Sequence, residues 1–121
     1  MKLLNELKVD DIIFIYSIVS FPDEEVFVKS KVKVYRAITQ YNSVSAYENF
    51  DKPNKIRRVV KMNEGVVYRN SIWLSEENDS LAKDILTKFF KRKIEILNHD
   101  IELINTRINL LNNFFDKGGD K

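Results

Sequence analysis

Lys93, Asp100 and Arg107 are the side chains whose types and spacing most invite a chemical reading. They recur every seven residues, which places them within the apolar face of a helix. A charge set in an apolar helix face costs free energy unless it is paired or opens on a groove. Three readings stay open. Asp100 can bridge Arg107 or Lys93 across an antiparallel pair of subunits. Arg107 can instead face a cavity and grip an anion. The long stems can also carry their charges out to solvent.

A second constellation is basic and aromatic. Residues 26–41 alternate with period two, with Val26, Val28, Val32, Val34 and Ile38 on one face. Phe27, Lys29, Lys31, Lys33 and Tyr35 fall on the other, where stacking rings and cations could hold a single nucleic-acid strand. The same pattern also describes a solvated sheet face protected by lysines against edge pairing. Trp73 closes the last strand, where it either fills the core or forms one wall of a pocket.

Other chemistries lack their residues. The chain has no Cys, which excludes disulfides, thiolate metal sites and cysteine nucleophiles. Its one His, His99, falls on the outer face of a helix. The acidic neighbours Asp10-Asp11, Asp23-Glu24-Glu25 and Glu76-Glu77 sit at turns and a helix start, where acids are ordinary. With glycine only at 65, 118 and 119, no loop can cradle phosphates. The expectation is no catalytic residue, no metal and no cofactor.

The elements that must position these residues follow from pattern. Ile12–Val19 is β-branched and aromatic and stops at Phe21-Pro22-Asp23, a strand and a turn. An acidic turn before a first strand is common in small SH3-like barrels. Residues 26–41 form a long second strand with a bend near Ser30 or Ala37. Val44–Tyr47 and Ile56–Met62 are strands, Asn63-Glu64-Gly65 is a hairpin turn, and Val66–Leu74 is the last strand. The fold class is α+β: an antiparallel β-meander or small, partly open barrel of about five strands, then a long C-terminal amphipathic helix. Residues 1–74 form the β-domain, 75–117 the helix and 118–121 a tail.

Ser75 is a natural N-cap, with Asp79 or Ser80 as later alternatives. From there to Phe115 no Pro or Gly interrupts the chain. Phe90, Ile94, Leu97, Ile101, Ile104, Ile108, Leu111 and Phe115 alternate in spacings of four and three, a heptad seam. Phe89, Ile96, Leu103 and Leu110 widen the apolar arc beyond what a two-stranded coiled coil uses. The helix therefore needs two covering surfaces, and self-association through residues 86–115 is expected.

Hydrophobic residues make up 44% of 121, enough for one folded domain, and a formal net charge of +2 gives no bulk argument for nucleic acid. The start lacks a signal peptide's apolar run, and no stretch spans a membrane. A cytoplasmic protein is expected. The Lys, Asn and Ile bias resembles that of AT-rich bacterial genomes and their phages.

The run from Val66 to Ser75, followed by Leu81-Ala82-Lys83-Asp84-Ile85-Leu86 and the long helix, looks like the C-terminal half of many small phage proteins. In layout the chain is similar to the Thoeris anti-defence sponge family. That resemblance implies a non-enzymatic oligomer in an infected bacterial cell, sequestering a cyclic ADP-ribose-like nucleotide in pockets between subunits. Such pockets pair aromatic rings with arginines, which implies Tyr16, Trp73, Phe89, Phe90 and Arg107 here. The alternatives are a protein-interaction module built on the helix seam and a nucleic-acid-binding β-domain with a dimerising helix.

Overall fold

A computed structural model describes residues 1–39, 41–48, 56 and 58–116. Among these residues, five strands and one long helix follow a 3-10 turn at Leu4–Glu6: β1 (Ile12–Phe21), β2 (Glu24–Arg36), β3 (Val44–Tyr47), β4 (Arg58–Val60), β5 (Ser71–Leu74) and α1 (Asp79–Asp116). The chain separates into two compact units, residues 1–87 and 88–121.

In the first unit the strands form one antiparallel sheet in the order β4-β3-β2-β1-β5. β1 and β2 make a long hairpin running from the Ile12–Lys33 pair to Phe21–Glu24, closed by Pro22-Asp23. The register slips between Val34 and Arg36, so the bulge in β2 lies between the two expected positions. A bulge bends a strand and raises its twist, which lets so small a sheet curl.

Period-two alternation then fills the interior. Ile13 and Ile15 from β1, Val32 and Val34 from β2, Val44 and Ala46 from β3, Val60 from β4 and Trp73 from β5 form one buried cluster with Leu4 and Leu7. Each fully buried side chain of this size contributes roughly 1.5–3 kcal/mol, enough for the cluster to fix the register.

Two features differ from the expected layout. Asn63-Glu64-Gly65 does not join two paired strands. β5 instead crosses to β1, pairing Ile15 with Trp73 and Tyr16 with Ile72. The run 66–74 is itself broken by a two-residue turn. Tyr68 and Ser71 exchange both backbone hydrogen bonds (2.9 and 3.0 Å), and the central residues Arg69 and Asn70 have φ of 49° and 61°. Positive φ at both positions is the hairpin turn that matches strand twist.

The helix also starts later than Ser75. Asn78 is the N-cap: its Oδ1 accepts the Leu81 N–H at 3.0 Å and its carbonyl accepts the Ala82 N–H at 3.0 Å. Ser75 is occupied elsewhere, donating both its N–H (2.7 Å) and its hydroxyl (2.9 Å) to Glu64. The first turns of α1 bury Ala82 and Leu86. In the second unit every side chain from Lys91 to Asp116 is exposed. No helix among the described residues is long and apolar enough to cross a membrane.

Candidate functional site

Among the described residues the sheet does not close: β4 and β5 are its two edges. A cleft of about 450 Å³ lies at this open seam, within the size range of small-molecule sites. Ile15 and Ser17 of β1, Val60 of β4, and Ile72 and Trp73 of β5 are its buried lining. Val59, Lys61, Met62, Val66 and Arg69 are its exposed residues, with Tyr68 and Ser71 half-buried between them.

The polar groups of the lining are already oriented. The Trp73 indole N–H donates to the Met62 carbonyl at 2.6 Å, which holds the ring while leaving it part of the wall. Ser17 and Ser71 share a hydroxyl hydrogen bond of 2.7 Å across the β1–β5 pair. The Arg69 guanidinium stands 5.3 Å from the Tyr68 ring centroid, a cation–π stack. Among the described residues neither Lys61 nor Arg69 has a carboxylate partner. Arg69 also carries a left-handed backbone, which costs a residue with a Cβ about 1–2 kcal/mol. Backbone strain of this kind clusters at sites where a side chain must be aimed. The cleft thus offers an apolar, aromatic floor and two cations, a set of groups suited to an anion that carries a ring.

Of the five residues expected at a ligand site, the structure brings Trp73 to this cleft. Tyr16 is elsewhere. Its hydroxyl donates to Asp79 Oδ1 at 2.8 Å and accepts the Asn78 N–H at 3.1 Å, so it fastens the helix start to β1. Burial, and then the bond to Asp79, push the Tyr16 hydroxyl above its ordinary pKa. Phe89, Phe90 and Arg107 belong to the second unit, whereas the cleft is lined wholly by the first. There Phe89 and Phe90 meet edge to face at 5.4 Å, and the Lys93 ammonium lies 5.1 Å from the Phe89 ring.

The basic aromatic face is largely internally paired. Lys29 bridges Glu77 at 2.7 Å and Asp79 at 3.1 Å, and Lys33 faces Asp10 at 4.0 Å. The bonds to Glu77, then Asp79, push Lys29 far above its ordinary value, while the Tyr16 hydroxyl and then Lys29 hold Asp79 below its own. Phe27 and Tyr35 remain exposed, Phe27 tilted over Tyr16 at 6.1 Å and Tyr35 edge-on to Tyr47 at 6.2 Å. Lys31 is exposed on the same face. Acids at the helix start therefore meet Lys29 of this face.

Sequence reading did not place Lys61, Tyr68 or Arg69 at a cleft. The available signal was the tetrapeptide Tyr68-Arg69-Asn70-Ser71, whose Asn suits a left-handed turn but whose Arg does not. Among the described residues no group of three or more potential metal ligands comes together. Comparison with protein-family models, curated proteins and solved structures finds no match.

Proposed function

We propose that this protein is a non-enzymatic binder of a nucleotide-like anion, taken up in the cleft at the open seam of its barrel. The observation that carries this reading is Arg69. It is a cation without a carboxylate partner among the described residues, stacked on Tyr68, with a positive φ, at an aromatic-lined cleft. The base or another ring would lie on the apolar floor that includes Trp73, and Arg69 and Lys61 would take the phosphates. The likeness in layout to the anti-defence sponge family makes cyclic ADP-ribose isomers the first ligands to try. The cation differs from the one that likeness suggested: Arg69 replaces Arg107, and the ligand sits within one subunit.

Isothermal titration of the full chain with ATP, ADP, cyclic ADP-ribose isomers and pyrophosphate tests this. Binding of at least one nucleotide is expected, lost in Arg69→Ala and retained in Arg107→Ala. No heat with any of them at millimolar concentration sinks the proposal, and equal loss in both variants moves the site away from the cleft.

A second reading is favoured by a separate observation. Seam residues from Ile94 to Phe115 are 47–65% exposed, an apolar stripe on a helix that buries nothing beyond Leu86. Monomeric soluble proteins rarely leave such a stripe uncovered. We propose that residues 88–116 assemble copies of the chain, tested by light scattering, where a monomer at tens of micromolar would refute it.

A further inference from the structure

The seam of α1 reads nearly the same in both directions. Its spacings run four-three-four-three-four-three-four, symmetric about the bond between Glu102 and Leu103. The chemistry is symmetric too, with Phe90 and Phe115 at the ends and only Ile and Leu between them. We propose that α1 pairs antiparallel with α1 of a second copy of this chain, in the register that sets Phe90 against the partner's Phe115. Ile94 then meets the partner's Leu111, Leu97 the partner's Ile108, and Ile101 the partner's Ile104. Every layer joins two side chains of matched volume, as knobs-into-holes packing needs. This inference rests on the self-association reading.

Charge decides the orientation. In this register Asp100 and the partner's Arg107 lie on one flank, about 3 Å apart along the axis at ~1.5 Å per residue. The twofold axis makes two such pairs. On the other flank Asn98 faces the partner's Asn105, and no like charges meet. Parallel in-register helices would instead set Lys93, Asp100 and Arg107 opposite Asn98, Asn105 and Asn112, leaving the interfacial charges without opposite partners. Core shape alone leans the other way: Ile94, Ile101 and Ile108 fall at heptad position a and Leu97 and Leu111 at position d, a pattern that suits parallel dimers. Ile104, at d in the central layer, interrupts that pattern. The extent also fits. The register uses every seam residue outside the first unit and stops before Leu86, which the first unit already buries.

The chain has no Cys, so orientation can be read by cross-linking the full-length protein. Leu97→Cys and Ile108→Cys are made separately, mixed and oxidised. A disulfide joining the two variants is expected, with little product from either alone. Leu97→Cys linking to itself shows parallel pairing and overturns the inference while leaving self-association standing. An oligomer with neither product also overturns it, because the register is then wrong. A monomer by light scattering removes both readings at once. Asp100→Arg should weaken assembly about tenfold, since two attractive pairs become repulsive. The double variant Asp100→Arg/Arg107→Asp should recover it with unchanged circular dichroism, and failure to recover refutes the cross-chain pair.

Discussion

Glu64→Gln should destabilise the first unit by about 2–3 kcal/mol at neutral pH, and the loss should fade in acid. Glu64 is 9% exposed. Its Oε1 accepts the Lys2 N–H at 2.8 Å, and its Oε2 accepts the N–H and hydroxyl of Ser75 at 2.7 and 2.9 Å. One carboxylate thus ties the chain start to the exit of β5. Burial pushes its pKa up, but the donors from Lys2 and Ser75 outweigh burial and hold it below the ordinary value. A hydrogen bond to a charged group contributes about 1.5–3 kcal/mol. Glutamine keeps one acceptor and turns an amide toward the donors it abandons, so at least one such bond is lost. For a domain stable by about 5–15 kcal/mol that is a large share. The sign follows from linkage: a depressed carboxyl stabilises fully above its unfolded pKa, ~4.3, and that stability is lost as pH falls through the lower folded value. Urea unfolding followed by Trp73 fluorescence, at several pH values from 7 down to 3, measures both. Equal midpoints for variant and parent at pH 7, or a difference independent of pH, would refute the reasoning.

Three further outcomes follow from named contacts. Tyr16→Phe removes the hydroxyl that Asn78 and Asp79 share, and should cost about 2 kcal/mol in the same urea assay. Arg69→Gly relieves the positive φ and should leave stability unchanged or raise it by about 1 kcal/mol while abolishing nucleotide binding; a destabilised variant would mean that Arg69 is structural. Gly65→Ala places a Cβ at φ 77°, 2.6 Å from the Met1 sulfur, and should lower stability by roughly 1 kcal/mol in thermal melts, through the backbone more than through the movable Met1.

The fold was legible wherever the signal is local. β-branched composition and the Phe21-Pro22-Asp23 turn placed β1, and period-two alternation placed β2, because a half-buried strand writes its two faces directly into the sequence; Val44–Tyr47, read as a strand, is β3. The partner of β5 was not legible. Val66–Leu74 reads as one strand following a turn, and nothing local says that its second half pairs with a strand more than fifty residues earlier. The helix start was displaced for a related reason. Sequence reading named Ser75, Asp79 and Ser80 as caps and missed Asn78, which suits a cap equally by type; what separates it from Ser75 is Glu64, which claims the Ser75 donors, and Tyr16, which receives the Asn78 N–H.

The same limit explains the site. Trp73 was recognisable as a pocket wall because an aromatic at a strand end is conspicuous by itself. Arg69 and Lys61 were not, because a cleft between two sheet edges exists only once β4 and β5 have been placed on opposite sides of the gap. Arg107 drew attention because it breaks an apolar period, and Lys29 because it sits in an alternating one. Periodicity shows where a charge is anomalous, and an anomalous charge is commonly one that a partner satisfies, as Glu77 and Asp79 satisfy Lys29. A charge held for a ligand has to lack such a partner, and that is a property of the folded neighbourhood. Arg107, like Arg69, has no carboxylate partner among the described residues; what favours Arg69 for the proposed anion is its place at the cleft beside Tyr68, and Arg107 is left for the proposed pairing with the partner's Asp100.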